Sequence, residues 1–566
     1  MRNCIAGMAC LLFILAGCKQ NAQKEQPDNS TVSNVWYKNS IIYNLDVDTY
    51  KDSDADGIGD FKGLTSKLGY IKSLGVTTIW LSPFQPTPDK DDGYDVADYY
   101  GIDKRLGTDA DFTAFIKEAK KQGLKVITDM VLNHTSIEHP WYKAARSDST
   151  STYRSWYVWS DKKPDDWDEG MVFPGVQTST WTYDEVAKKY YFHRFYDFQP
   201  DLNYENPEVG KESKKILKYW LAKGIDGFRL DAVPFIIDIP KSGSKNPKHM
   251  LNLLTDVIAD VKKVKPDILV LGESNVAPDE NKDYFGENGD RLQMMFNFYA
   301  NQYLFYALAS GETKDFVKAL QDTKQKPPLA QWAFFLRNHD EIDLARLSKK
   351  QREKVYEKMG PETNMQLYDR GIRRRLAPML HNPQQLKMAY SLLFSLPGAP
   401  VIRSGEEIGM GDDLTLSERL SVRTPMQWAD TLNGGFSAAK KIFRPVIDIG
   451  DYSYKKINVA SEQHDKGSLL NFINRLIHLR AGLPMIGLAN WEVIKSSSDK
   501  VVIIKYNQNE KTLITVHNFS DKPVKAVINA QNDNALKSLL NGKNISVNDG
   551  RTELNLPGYG FDWLSN

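Results

Sequence analysis

Eight short runs of β-branched and apolar residues, separated by stretches with helical spacing, govern what this chain can fold into. They cover 41–43, 77–81, 125–129, 227–233, 268–273, 292–296, 331–336 and 399–402. Strands that alternate with helices build parallel sheets, because a parallel neighbour is reached only through a long crossover. Eight such units predict an α/β fold, a closed (β/α)8 barrel. Polar residues gather where the runs end: Asn133 and His134, Asp231, Glu273, and Asn338-His339-Asp340. In such a barrel the carboxyl ends of the strands lie on one face, so these side chains share one floor.

The alternation fails in two places. Residues 133–204 are rich in Trp, Tyr, Asp and Ser and far exceed an ordinary βα loop, which predicts a subdomain inserted over the barrel mouth. The barrel then comprises 34–132 and 205–485. From 486 to 566 the runs at 501–506 and 512–516 sit between Asn, Asp, Gly and Lys turns, which predicts a C-terminal antiparallel β-sandwich. A formal net charge of +1 argues against nucleic acid as a partner, since phosphate binding calls for a basic excess. The 12 Trp and 27 Tyr suit stacking on sugar faces and equally suit a large core.

Arg229 and Asp231 stand two apart, on one side of a strand. An isolated pair of this kind is usually a structural ion pair. Here the cation is expected to lower the Asp231 pKa and keep it charged, as a nucleophile requires. Glu273 follows the apolar residues 268–271, and burial is expected to raise its pKa toward that of a general acid. With Asp340 to hold substrate hydroxyls, the three acids suffice for retaining cleavage of a glycosidic bond, which places two carboxyls roughly 5 Å apart. No organic cofactor is needed for that chemistry. Separately, Asp52, Asp54, Asp56, Ile58 through its carbonyl, and Asp60 are spaced like the first part of an EF-hand loop. Oxygen ligands at this spacing suit calcium; the alternative is a solvated acidic turn.

The segments 129–134, 199–203 and 227–233, with Glu273 and 337–340, resemble the successive signature regions of the α-amylase superfamily, glycoside hydrolase family 13. The resemblance implies Asp231 as nucleophile, Glu273 as acid/base and Asp340 as transition-state stabiliser. It implies that His134, Arg229 and His339 contact a terminal glucose and that Asp95 and Arg423 close its pocket. It also implies a second calcium site formed by Asn133, Asp201, Asp238 and the carbonyls of Phe235 and Ile236. Within the family, 190–195, 371–378 and 422–428 are similar to the trehalose synthase branch, which implies transfer of a glucosyl group within maltose to give trehalose, with some hydrolysis. Arg403-Ser404, Ser274-Asn275-Val276 and Ile342-Asp343 depart from that branch and are expected near the pocket mouth. Hydrolysis of α-glucosides, as by an α-glucosidase or α-amylase, therefore stays open. So does a non-catalytic glycan-binding lipoprotein, against which three intact acids argue.

At the N-terminus, Arg2 precedes an apolar run that ends at Leu15 and is too short to span a bilayer. Leu15-Ala16-Gly17-Cys18 resembles a bacterial lipobox, so 1–18 are expected to be a lipoprotein signal peptide, 19–33 a polar tether, and the protein a lipid-anchored member of the cell envelope. The alternative is an ordinary secretory signal. Cys4 and Cys10 leave with the signal and Cys18 carries lipid, so no disulfide is expected. Wild-type protein should partition into detergent while Cys18→Ser is recovered soluble or uncleaved; equal partitioning of the two would exclude the anchor.

Overall fold

The computed structural model describes residues 35–239, 248–249, 251–529 and 535–566, so the expected signal peptide 1–18 and tether 19–33 lie outside the described part. Its centre is a closed barrel of eight parallel strands: β1 (Ile42–Leu45), β2 (Thr78–Leu81), β3 (Lys125–Met130), β4 (Gly227–Leu230), β5 (Leu269–Gly272), β6 (Met294–Phe296), β7 (Gln331–Phe335) and β8 (Ala399–Arg403). Each strand pairs with its neighbours in sequence, and β8 closes on β1 through Ile42 opposite Val401. The strands are buried on both faces, which is why they read as near-continuous apolar runs rather than alternating ones. Ile42, Trp80, Ile127, Leu271, Met294 and Phe335 are among the side chains that fill the barrel interior.

The surrounding helices bury one stripe each. Asp109–Lys121 is started by a capping box between Thr108 and Asp111 and buries Phe112, Phe115, Ile116 and Ala119, spaced three and four apart. Pro207–Ala222 opens with a proline in its first turn and an Asn206 cap. Gly227 opens β4 because nothing larger fits: a Cβ there would stand 2.2 Å from the Leu269 carbonyl oxygen on β5.

Two insertions cover the strand ends. Between β3 and β4 lies the expected one, with the helix Pro140–Ser147 and a three-stranded antiparallel sheet of Trp159–Ser160, Lys189–Phe192 and Trp181–Asp184. A second, absent from the sequence reading, lies between β7 and β8. It contains the helix Lys349–Met359 and a small sheet of Ile342–Asp343, Gly371–Ile372 and Gln366–Leu367. Two-residue strands carry no periodicity, so local pattern cannot reveal them.

The C-terminal unit has a six-stranded antiparallel sheet facing a two-stranded one, Val524–Asn529 with Arg551–Leu556. Ile503, Val516, Ile528 and Leu554 share the core between the two. Trp563 Nε1 donates to Ser391 Oγ at 3.0 Å and Tyr506 donates to the Ser395 carbonyl at 2.6 Å, tying this unit to the barrel helix Pro383–Ser395. Among the described residues no helix is long and apolar enough to cross a membrane.

Candidate active site

The strand ends converge on the Arg229 guanidinium, which is only 2 % exposed. Its Nη1 donates to Asp129 Oδ1 at 2.7 Å and to Asp231 Oδ1 at 2.6 Å, and its Nη2 donates to Glu273 Oε2 at 2.7 Å. Register explains the convergence: Arg229 on β4 lies opposite Asp129 on β3 and Leu271 on β5, and Asp231 and Glu273 each follow their strand by one residue. Ala232 adopts the left-handed region, φ 50°, and its N–H donates to Glu273 Oε2 at 3.1 Å. One guanidinium binds both carboxyls and so holds them side by side, as a retaining mechanism, whose pair stands roughly 5 Å apart, requires.

The electrostatics correct one expectation. Burial pushes the Asp231 carboxyl up to about 6, because desolvation and the nearby Asp129 outweigh the pull of Arg229. The expected lowering fails because burial outweighs the pull of Arg229, which is itself shared among three carboxyls. Glu273 rises further, to about 7, through burial and the charges of Asp231 and Asp340, against the pull of Arg229. Both carboxyls are thus raised, and they titrate as one coupled pair.

Asp340 is set apart by its partners. Burial opposes its charge, but His339, Arg419 and Arg423 hold its carboxyl well below the usual range. Arg419 Nη1 and Arg423 Nη2 donate to Oδ1 at 3.0 and 3.1 Å, and His339 Nε2 lies 3.1 Å from Oδ2. Burial keeps both histidines neutral, His339 well below its ordinary value and His134 at about 4. His134 Nε2 donates to the Tyr94 carbonyl at 3.1 Å, and His339 Nε2 lies 2.6 Å from the Tyr94 hydroxyl. That hydroxyl and Trp80 Nε1 each donate to Asp129 Oδ2 at 3.1 Å.

Asp231, Glu273 and Asp340 line a cavity of about 310 Å³ whose walls also include Tyr94, His134, Phe173, Phe195, Phe298 and Glu341; Arg229, His339 and Arg423, expected to contact the sugar, stand behind these acids and do not line it. Asp95 is not in it. Its carboxylate accepts from Thr87 Oγ1 at 2.8 Å and from the N–H groups of Lys90 and Asp91 at 3.1 Å, closing its own loop. The acid that reaches the pocket is Asp91, which accepts from Arg419 Nη2 at 2.5 Å, while Arg423 pairs with Asp92 at 3.0 Å. Gly93, at φ 96°, lies between Asp92 and Asp95 in this loop, in a conformation that glycine adopts without strain. Arg403 is likewise not at the mouth. It is buried on Asp46 and on Asn44 Oδ1, at 2.9 Å from the latter, and does not line the cavity. Asn275 and Asp343 do line it, joined by an Asn275 Nδ2 hydrogen bond to Asp343 Oδ2 at 2.7 Å. Sequence reading missed Asp129, Asp91 and Arg419 as site residues; for Asp129 its place at the end of a barrel run was the available signal.

Away from the cavity, oxygens of Asp52, Asp54 and Asp60 lie within 4.8 Å of one another, a set that can hold a metal ion. Asp52 accepts from the N–H groups of Asp54, Ala55 and Gly57, which folds the loop around it. Asp56 is outside the group and accepts from Ile58 N at 2.8 Å. At the second expected site, Asn133 Nδ2 donates to Asp201 Oδ2 at 3.1 Å and Arg194 N to Oδ1 at 2.8 Å. Phe235 and Ile236 lie in the short helix Val233–Ile237 just after Asp231, and the Asp238 side chain is outside the described residues.

The model of the alpha amylase catalytic domain matches residues 44–370 and 369–486, and that of a sucrose hydrolase-like C-terminal domain matches 511–565. A trehalose synthase of Thermus thermophilus is 41 % identical over 79 % of this chain, which spans 46 % of that longer protein. A trehalose synthase of Pimelobacter sp. is 36 % identical over 94 % of this chain and 95 % of its own length. The crystal structure of Bacillus licheniformis trehalose-6-phosphate hydrolase superposes with a TM-score of 0.75 at 27 % identity, covering 94 % of this chain and all of the other.

Asp231→Asn and Glu273→Gln should each lower turnover of an α-glucoside by about a thousandfold or more with the fold intact. Glu273→Gln should still be loaded by an α-glucosyl fluoride, whose leaving group needs little protonation, and mass spectrometry should find the sugar on Asp231. The wild-type rate should be bell-shaped in pH. It falls below about 6 as Asp231 gains a proton and above about 7 as Glu273 loses one, the two limbs belonging to the coupled pair. A label on another residue, or a flat profile, would overturn the assignment.

Proposed function

Because the chain belongs to the α-amylase family of glycoside hydrolases, we propose that it is a retaining enzyme that converts maltose to trehalose by moving one glucosyl group, with a share of hydrolysis. The observation that carries this reading is the shape of the site: a cavity of about 310 Å³ bounded by the Asp91–Arg419 ion pair, sized for a small sugar rather than a polymer groove.

Glu273 protonates the glycosidic oxygen as Asp231 attacks the anomeric carbon, giving a glucosyl ester on Asp231 and a free glucose. Asp340, fixed by Arg419 and Arg423, accepts hydrogen bonds from the ring hydroxyls as the sugar flattens. The neutral imidazole of His134 contacts a hydroxyl without adding a positive charge beside the one that develops, while neutral His339 holds Asp340 from behind the wall. The released glucose stays against Asn275, Phe298 and Asp343 and turns. Its anomeric hydroxyl gives a proton to Glu273 and attacks the anomeric carbon of the bound glucosyl group, whose bond to Asp231 breaks, forming trehalose and freeing the Asp231 carboxylate. Water entering instead gives a second glucose, the outcome of an α-glucosidase.

We also assign the Asp52, Asp54 and Asp60 cluster to calcium, because an all-carboxylate set suits a hard cation. The ion would supply stability and no part of the reaction. Calcium should raise the melting temperature of wild type by mass action and not that of Asp54→Asn; equal shifts in both would refute the assignment.

Maltose should yield trehalose with an appreciable share of glucose, and labelled external glucose should be incorporated poorly. A chromatogram with glucose and no trehalose would refute the isomerase reading and leave an α-glucosidase.

A further inference from the structure

Three separate segments meet beside the cavity at one carboxylate. Glu418, in the loop after β8, accepts at Oε2 from the hydroxyl of Tyr368, at 2.6 Å, and from that of Tyr196. Tyr196 belongs to the first insertion and Tyr368 to the second, and their hydroxyls are 3.1 Å apart. Phe173, which lines the cavity, packs on both rings with centroids 4.9 Å from Tyr196 and 4.6 Å from Tyr368. The guanidinium of Arg419, the residue after Glu418, also lies over the Phe173 ring, at 5.0 Å.

The two residues that meet here, Tyr368 and Glu418, both have positive φ, 56° and 40°. Neither side chain favours that region, so the surrounding contacts must hold the backbone there. Arg373, the first of three consecutive arginines, supplies part of that hold. It donates to the carbonyls of Asn364, Leu414, Leu416 and Glu418 at 2.7 to 2.9 Å, fastening the Glu418 loop to the second insertion. Arg419 then reaches Asp340 and Asp91 from a fixed backbone.

We propose that Glu418, held by Tyr196 and Tyr368, is a positioning residue that seats Arg419 on Asp340 and joins the three segments over the cavity, so that this junction sets how the glucosyl ester divides between retained glucose and water. The division rests on the isomerase reading; the junction does not. Neither Tyr196, Tyr368 nor Glu418 lines the cavity, so their effect is transmitted through Arg419 and Phe173. A closed roof keeps the released sugar near the ester and water away from it.

The test is the double variant Tyr196→Phe/Tyr368→Phe, which keeps both rings on Phe173 and removes both hydroxyls. The ratio of glucose to trehalose should rise about tenfold, the scale of losing a charge-assisted hydrogen bond, and labelled external glucose should now enter trehalose. Amide hydrogen exchange should quicken in 170–176 and 414–422 while the melting temperature stays close to that of wild type. If the double variant does not fold, Glu418→Gln, which weakens both acceptor bonds, carries the same measurements. Unchanged product ratio and unchanged exchange in a folded variant would overturn the proposal. If wild type makes no trehalose, the isomerase reading fails by itself, and quickened exchange in the variant still supports the junction.

Discussion

A single buried cation organises the floor of this barrel. Arg229 holds Asp129, Asp231 and Glu273 at once, and removing it would leave three carboxyls facing one another out of water. Burial, together with more acid than Arg229 can neutralise, raises the pKa values of Asp231 and Glu273. That surplus is useful. It makes one carboxyl carry a proton near neutrality while its neighbour is ionised, which is the state in which an acid and a nucleophile can work together. Trp80 and Tyr94 complete the arrangement: both donate to Asp129, and both place an aromatic face near Arg229, at 5.5 and 5.8 Å.

Asp340 obeys the opposite rule within the same cavity. Arg419 and Arg423 both donate to it, and each is balanced on its far side by a further acid, Asp91 and Asp92 respectively. The alternating charges let a buried carboxylate stay ionised without an unpaired cation behind it. The loop after β8 thus supplies the charge that the barrel strands lack, and the rigid sheet and the irregular loops divide the work. Strands set the positions of Asp231 and Glu273 through register; insertions and loops set what surrounds them.

Much of this was legible in the chain alone because it is written locally. Continuous apolar runs of strand length mark β1 to β8, since each strand is buried on both faces and needs no distant partner to look like a strand. The acids at the ends of β4 and β5 inherit their placement from those runs, so Asp231 and Glu273 could be set on one floor before any coordinates. The raised pKa of Glu273 was legible too, because an apolar run before it announces its burial.

What the sequence by itself determined, then, is the barrel, the two expected flanking units and the identity of the acids that share the floor. Tertiary structure alone decided which acid of the Asp91 to Asp95 loop faces the cavity, that Arg403 is buried on Asp46, and that Arg419 joins Asp340. It also decided the sign of the Asp231 shift. These outcomes depend on pairs far apart in the chain, Asp129 with Arg229 across 100 residues and Arg419 with Asp91 across 328. A local pattern reports which residues lie near in sequence. The sign of a buried charge's shift depends instead on every charge near it in space and on the water removed from it, and both are set only when the chain closes.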